Sequence, residues 1–302
     1  MFDLFCIAGA SVDLILKLPR LPDPDEKLLT RFAGRVAGGL VANAACAAAR
    51  LGLRTGWSGL VGDDENGRMV QQEFETFGVD ASLARVLPGC AGDFCVILLE
   101  ESGERTILIV NSLPEPPPLD AGTLDALGRS RMGYTLPRPP EWFGQFAGAV
   151  HGGSGLVAVD MESTALAHGA ELEQSLRLTD IVFTNRSGLA LLGPDLPLEA
   201  AAARLVNWGV QEVVVTLGAG GSTLFTAAGW VEVPAFRVPV ADTTGGGDCF
   251  HAAYLAARSA GQAAADRLRF ASAAAALKVQ HLGARVGLPA VSQVEEFLAH
   301  HG

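Results

Sequence analysis

The feature that most constrains the fold is a run of three glycines, Gly245–Gly247, that passes directly into an alanine-rich apolar segment. Such a segment predicts a helix, and the free peptide N–H groups at its start form a concave set of donors with partial positive charge. Glycine lets a phosphate oxygen approach the backbone closely. Asp248 ends the loop, where a carboxylate would repel a phosphate but could take a proton from an attacking hydroxyl. The sequence therefore predicts an anion cradle beside a catalytic base, as a phosphotransferase requires.

The same residues would also suit a flexible hinge with Asp248 as a helix N-cap. Two further glycine-rich turns favour the cradle. Gly38 and Gly39 precede an apolar helical segment that contains Asn43, and Thr216–Gly221 follows an apolar strand.

Short apolar strands alternate with helical segments in the second half of the chain. The strands are expected at Leu156–Val159, Ile181–Phe183 and Val213–Leu217. This alternation predicts an α/β fold whose central sheet is mainly parallel and flanked by helices. Ligands of such sheets bind at the carboxyl ends of the strands, where the glycine-rich turns fall.

Two segments interrupt that alternation and predict a second, small sheet. Val12–Leu29 alternates in polarity but is broken by prolines. Phe94–Leu99, a turn at Glu101–Glu104 and Thr106–Val110 indicate a β-hairpin. We expect one domain over residues 1–302, with small-sheet strands within 12–36 and 90–112. Edge strands of the main sheet are the alternative.

Composition excludes several classes of protein. The net charge of −11 argues against nucleic-acid binding, which needs clustered lysine and arginine. There is no apolar run long enough to span a membrane, and the N-terminal segment has no basic region of the kind that begins a signal peptide. The five scattered cysteines are typical of reduced thiols, so a cytoplasmic protein is expected.

Four motifs together resemble the ribokinase-like (PfkB) carbohydrate kinase family, in the family's order and over nearly the whole chain. They are Gly38-Gly39 with Asn43, Gly59–Asp64 with Gly67, Thr216–Gly221 and Asp242–Asp248. The resemblance implies a ribokinase-like fold with a small β-sheet lid that covers the sugar and often forms a dimer contact. It also implies ATP-dependent transfer of the γ-phosphate to a hydroxymethyl oxygen of a sugar, with Mg²⁺, and a homodimer through the lid.

The resemblance assigns roles to residues at matching positions. Asp248 is the base, and the amides of Gly245, Gly246 and Gly247 stabilise the transferred phosphoryl group. The sugar-binding residues implied are Asp13, Gly38, Gly39 and Asn43. The nucleotide-binding residues implied are Asn185, Thr216, Gly218, Gly221 and Gly283, with Ala271–Gly283 as the adenine wall. A K⁺ site is implied at Asp242 and the carbonyls of Thr244 and Gly283.

One motif departs from the family. Where the family commonly has Asn-x-x-Glu, this chain has Asn185-Arg186-Ser187-Gly188, so the acid that helps to hold the magnesium water shell is absent. Either the nucleotide phosphates carry the metal, or Asp160 or Glu162 substitutes for the missing acid.

The sugar is left open among a ketohexose, a sulfo- or phospho-sugar and ribose. Lys27, Asn111 and Arg138 resemble positions with which sulfofructose kinase grips a sulfonate, and Arg105 resembles a lid arginine of ketohexokinase. A Lys and an Arg that converge on an anion are physically reasonable in an acidic protein. Lys27 and Arg138 would equally suit a solvated surface.

A nucleoside kinase, a sensing protein and a dehydrogenase are the alternatives to a sugar kinase. A nucleoside kinase of the same fold needs an aromatic residue in the lid to stack on the base. Phe94 is the only obvious aromatic residue in the hairpin, so a bare sugar is favoured. A non-catalytic sugar- or nucleotide-sensing protein would explain the lost acid but not the retained Asp248. A Rossmann dehydrogenase is disfavoured because Gly9-Ala10-Ser11 lacks the G-x-G-x-x-G spacing.

Overall fold

The computed structural model describes residues 1–101, 104–162 and 167–301. Within them lie fourteen strands and ten α-helices. The strands are β1 (Leu4–Ile7), β2 (Ser11–Leu18), β3 (Arg31–Gly38), β4 (Thr55–Ser58), β5 (Leu60–Gly62), β6 (Arg85–Leu87), β7 (Phe94–Glu100), β8 (Arg105–Val110), β9 (Met132–Thr135), β10 (Leu156–Met161), β11 (Ile181–Asn185), β12 (Glu212–Thr216), β13 (Ser222–Thr226) and β14 (Gly229–Val233). The helices are α1 (Leu40–Arg50), α2 (Glu65–Phe77), α3 (Ala121–Gly128), α4 (Pro140–Gly152), α5 (Gly169–Leu176), α6 (Arg186–Leu189), α7 (Leu198–Asn207), α8 (Gly246–Ser259), α9 (Ala264–Lys278) and α10 (Val291–His300).

The main sheet has eight strands in the order β14-β13-β12-β11-β10-β9-β1-β4. The pairs from β12 through to β4 are parallel, and β13 and β14 are added antiparallel at one edge. The predicted strands at 156–159, 181–183 and 213–217 are therefore confirmed as β10, β11 and β12. Their buried valine-rich runs are typical of parallel strands covered on both faces.

Two apolar cores lie on the two faces of this sheet, because successive side chains of a strand point to opposite sides. On one face Cys6 and Ala158 pack against α1, α8 and α9. On the other face Phe5 and Val157 pack against α3, α4, α5 and α7. The helix α8, which carries Asp248, is therefore packed into the apolar core on one face of the main sheet.

The predicted small sheet is also confirmed. It has four strands in the order β3-β2-β7-β8, with β2 and β7 parallel and Asp13 opposite Cys95. We refer to these four strands as the lid. The strand expected over Val12–Leu29 ends earlier, at Leu18, because the prolines that follow lie in an irregular connector. Ser102 and Gly103 of the predicted hairpin turn lie outside the described residues.

The carboxyl ends of the central strands present polar residues at one edge of the sheet. Asn185 ends β11, Thr216 ends β12, and Glu162 directly follows β10. Among the described residues, no helix is long and apolar enough to cross a membrane. All five cysteines carry free thiols.

Candidate active site

The loop that precedes α8 has the geometry expected of an anion cradle. Gly245 has φ = 76°, and a Cβ there would lie 2.4 Å from the carbonyl oxygen of Ala284, so only glycine fits. By contrast, a Cβ at Gly247 would have no heavy atom within 4 Å. Open space therefore lies beside Gly247 in the first turn of α8, and the free amide groups of a helix N-terminus can donate hydrogen bonds to an anion.

Asp248 lies in the first turn of α8 and is buried. Its Oδ2 accepts a hydrogen bond of 2.8 Å from Nδ2 of Asn43. Burial raises the pKa of Asp248 to about 7, while the Asn43 hydrogen bond and the charge of Arg285 act in the opposite direction. A carboxylate with a pKa near neutrality is suited to accept a proton from a hydroxyl.

The predicted sugar-binding residues surround this carboxylate. Asp13 is buried and lies so close to Gly38 that a Cβ on the glycine would fall 2.7 Å from both carboxylate oxygens. Gly39 follows and begins α1, the helix that brings Asn43 to Asp248. The structure thus brings together the β2–β3 strand pair, α1 and α8 around one point.

Arg285 belongs to the same group, although it is not among the site residues that the sequence predicts. Its Nε donates to Oδ1 of Asn43 at 2.9 Å, and its Nη2 donates to the carbonyl oxygen of Gly38 at 2.9 Å. The side chain is buried. No motif in the sequence marks this arginine, which follows Gly283-Ala284 in the segment between α9 and α10.

Three of the predicted nucleotide-binding residues, Thr216, Gly218 and Gly221, line a cavity of about 660 Å³, a volume that suits a cofactor-sized ligand. The other two, Asn185 and Gly283, are not among its lining residues. Its lining combines the turn after β12, the first turn of α8 and one side of α9. From these elements come Thr216, Gly218, Gly221, Gly246, Gly247, Ser272, Ala275 and Ala276. The amides of the predicted cradle therefore open into the same cavity as the predicted adenine wall.

The predicted K⁺ residues form a hydrogen-bonded junction between two loops. Asp242 accepts bonds from the Thr244 amide at 2.9 Å, the Thr244 hydroxyl at 2.7 Å and the Gly283 amide at 2.8 Å. Burial alone would raise the pKa of Asp242, but these hydrogen bonds oppose that effect, and the pKa lies below its usual value. Arg105 of the lid strand β8 donates to the Thr244 hydroxyl at 2.6 Å and lies 3.5 Å from Asp242. Arg105 thus contacts this junction, and its role in sugar binding stays a prediction.

The residues at the ends of β10 and β11 fit a hard cation. Nδ2 of Asn185 lies 3.5 Å from Oε1 of Glu162, and burial raises the pKa of Glu162. Neither carboxylate oxygen of the buried Asp160 has a hydrogen-bond partner in the described part of the chain. No cluster of three or more His, Cys, Asp or Glu ligands occurs among the described residues. This donor set fits Mg²⁺ that keeps phosphate and water ligands and takes few from protein.

The three residues predicted to grip an anionic sugar have different environments. Lys27 lies exposed in the connector between β2 and β3, and Asn111 is exposed just after β8. Arg138 is 1% exposed and forms an ion pair with Glu115. The charge of Arg138 is therefore balanced within the protein.

Residues 1–116 and 155–291 match the pfkB family of carbohydrate kinases. The chain is 28% identical to the ribokinase of Bacillus subtilis strain 168 over 298 residues, which cover 97% of this chain and 99% of that protein. It is 28% identical to the aminoimidazole riboside kinase of Salmonella typhimurium over 320 residues, covering 100% and 96%. The structure of Arabidopsis thaliana ribokinase complexed with ribose and ATP superposes with a TM-score of 0.87 at 27% identity, covering 98% of each chain.

Proposed function

We propose roles for the residues of this site from one premise: the chain belongs to the pfkB family of carbohydrate kinases. It is an ATP-dependent sugar kinase, a phosphotransferase with an alcohol group as acceptor. The observation that carries the proposal is the 2.8 Å hydrogen bond between Asn43 and Asp248. It joins the predicted sugar-binding motif to the predicted base at the start of the anion cradle.

In the proposed mechanism, Asp13 and Asn43 hold the sugar so that its hydroxymethyl oxygen faces Asp248. The carboxylate of Asp248 takes the hydroxyl proton as that oxygen attacks the γ-phosphorus of ATP. The amides of Gly245, Gly246 and Gly247 stabilise the charge on the phosphoryl group in transit. ADP leaves, and Asp248 then releases its proton to solvent.

We propose that Asn185 and Glu162 hold the water shell of Mg²⁺. Glu162 would thereby supply the acid that the Asn-x-x-Glu position lacks, since it reaches Asn185 from the neighbouring strand. When bound, Mg²⁺ neutralises charge on the nucleotide phosphates. Asp160 lies deeper, within β10, and is the weaker candidate.

We propose ribose, or a compound that carries a ribosyl ring with a free hydroxymethyl group, as the sugar. The names of the ribokinase and the riboside kinase reported above both indicate such a ring. The ion pair between Arg138 and Glu115 also favours a neutral sugar, because the positive charge of Arg138 is already balanced by a carboxylate of the protein. The sulfonate-binding role predicted for Lys27, Asn111 and Arg138 stays a prediction.

A coupled assay of ADP release tests the choice of substrate. Ribose, fructose, sulfofructose, sugar phosphates and nucleosides would be compared by kcat/KM. We expect the highest value for ribose. If sulfofructose or a sugar phosphate is best, and Lys27→Ala raises its KM about ten-fold, the anionic-sugar prediction replaces ours. A nucleoside as best substrate indicates a nucleoside kinase, and sugar binding without ADP release indicates a sensing protein.

We also propose a cytoplasmic homodimer that associates through the lid. The edge strand β8 exposes Ile107, Leu108 and Ile109, and exposed apolar edge strands are ready templates for pairing. Light scattering after gel filtration should give twice the chain mass for the wild type and the single mass for Leu108→Lys. A monomeric wild type contradicts the dimer.

A monovalent cation at Asp242, Thr244 and Gly283 remains part of the proposal. Asp242 already bridges the two loops that such an ion would join. We expect KCl to raise kcat relative to choline chloride at equal ionic strength. Equal rates in the two salts would remove the cation from the mechanism.

A further inference from the structure

Arg285 is a buried cation in direct contact with the residue that touches the catalytic base. Its side chain is 5% exposed. Its guanidinium lies over the ring of Phe74, 5.6 Å from the centroid, and its Nη1 stands 3.8 Å from Oε2 of Glu73. Its two hydrogen bonds, both of 2.9 Å, go to Asn43 and to the carbonyl of Gly38. The loose Glu73 contact leaves those bonds as its principal attachments.

The chemistry of these groups determines the orientation of Asn43. An asparagine amide has one acceptor side and one donor side, whereas a guanidinium can only donate. Oδ1 of Asn43 must therefore face Arg285, and Nδ2 must face Asp248. A carboxylate accepts from Nδ2 but would be repelled by Oδ1. Without Arg285, the Asn43 amide would lose the hydrogen bond to Oδ1 that favours this orientation over the flipped one.

We propose that Arg285 is a positioning residue of the phosphotransfer site, which holds the amide of Asn43 so that it donates to Asp248. The relay runs Arg285–Asn43–Asp248, with all three side chains buried. The bond from Nη2 to the Gly38 carbonyl fixes the end of β3 against the same group, close to Asp13. This inference rests on the proposed role of Asp248 as base.

The charge of Arg285 supports the same assignment. The carboxylates of Glu162 and Asp13 raise the pKa of Asp248, whereas Arg285 lowers it. Asp160 and the ammonium group of Lys278 also interact with Asp248, as does the buried Tyr134. Burial raises the pKa of Asp13, and the charge of Arg285 acts in the opposite direction there as well. Removal of Arg285 should therefore make Asp248 harder to ionise, in addition to freeing Asn43.

The first experiment compares Arg285→Met with a matched control, Arg204→Met. Arg204 also bonds a backbone carbonyl, that of Leu192 at 2.9 Å, and lies over an aromatic ring, Trp208 at 5.0 Å, but it is exposed and belongs to α7. We expect Arg285→Met to lower kcat roughly ten-fold, with the KM for sugar changed little and the acid limb of kcat/KM moved to higher pH. We expect Arg204→Met to lower Tm without either kinetic change.

A double-mutant cycle tests whether Arg285 acts through Asn43. If it does, Asn43→Ala with Arg285→Met is little slower than Asn43→Ala alone at a pH above the acid limb of every variant, where the direct effect of the Arg285 charge on the ionisation of Asp248 no longer contributes. Additive losses would overturn the relay. A raised KM for sugar with normal kcat would also overturn it, since Arg285 would then be a substrate contact.

Two further variants keep the outcomes distinguishable. Should Arg285→Met fail to fold, Arg285→Lys keeps the charge, but its single amine cannot span both oxygens. We expect a kcat several-fold lower with the acid limb unmoved, and wild-type kcat would overturn the inference.

If Asp248→Asn keeps near-normal turnover, the proposed function itself fails. If Asp248→Asn is inactive while Arg285→Met keeps the wild-type kcat and pH profile, only this inference fails.

Discussion

The base side of the site, which includes Asp13 at the start of the lid strand β2, and the outer edge of the lid are held in the structure in different ways. Asp13, Asn43, Asp248 and Arg285 are each at most 7% exposed and are linked by contacts between β2, α1, α8 and the segment after α9. On the lid edge, Ile107, Leu108 and Ile109 are 44%, 51% and 56% exposed. The base side is therefore preorganised by the core, whereas the edge of the lid has few packing partners of its own.

This difference predicts how substitutions divide between the two regions. Changes on the base side should act on kcat, because they disturb groups whose positions the core has already fixed. Changes on the outer edge of the lid should act on KM, because in the proposed mechanism this edge covers the ligand and does not hold the base. A lid variant that lowers kcat strongly would contradict this division.

The largest effect is expected for Asp248→Asn. The amide can still meet Asn43 and the sugar but cannot accept the proton, so kcat should fall at least about a hundred-fold. Isothermal titration should show ATP and ribose binding nearly as in the wild type. Turnover within a few-fold of the wild type would remove Asp248 as base.

The next largest effects are expected for two glycines of the cradle, Gly245 and Gly247, and they should differ in kind. Gly245→Ala forces a side chain into φ = 76° and against the Ala284 carbonyl, which should cost about 1–3 kcal/mol of stability. Gly247→Ala meets no atom, so its Tm should stay normal. Its methyl group enters the space proposed for phosphate, and the KM for ATP should rise on the order of ten-fold. Normal ATP kinetics in a folded Gly247→Ala variant would contradict the cradle.

The smallest effect is expected on the lid, for Arg105→Gln. Its contacts with Thr244 and Asp242 are partly exposed, and such pairs contribute about 1 kcal/mol or less. KM should rise less than about five-fold, kcat should hardly change, and the difference should shrink at high salt. Arg31→Gln, an exposed arginine at the start of β3, is the control and should behave as the wild type.

The strands and the glycine-rich turns could be predicted from the sequence, because each is encoded by a pattern of adjacent residues. The valine-rich strands and the glycine turns before α1 and α8 each carry their signal within a few residues, and the order of the motifs indicated the family. The contact of Arg285 with Asn43 joins residues 242 positions apart, and that of Arg105 with Thr244 joins residues 139 apart. Neither has a local signal, because both arise only when the sheet places distant loops together.

Arg138 illustrates the same limit. Its position resembles a substrate-binding one, yet in the structure the proline-rich connector carries Glu115 to it, and the buried Arg138 forms an ion pair with this partly exposed carboxylate. A buried charge needs a partner, but the sequence does not tell whether that partner is a ligand or a side chain of the protein. Lys27, which is exposed, has no such constraint.

The central claim is that a buried, preorganised Asp248 deprotonates the sugar, and the pH dependence of kcat/KM for the best sugar tests it most directly. Burial raises the pKa of Asp248 to about 7, so the base is protonated below that pH and becomes active as pH rises through it. We predict an acid limb with an apparent pKa near 7 that is absent from the residual activity of Asp248→Asn. A wild-type rate that stays constant down to about pH 5, or a limb that persists unchanged in Asp248→Asn, would contradict the account.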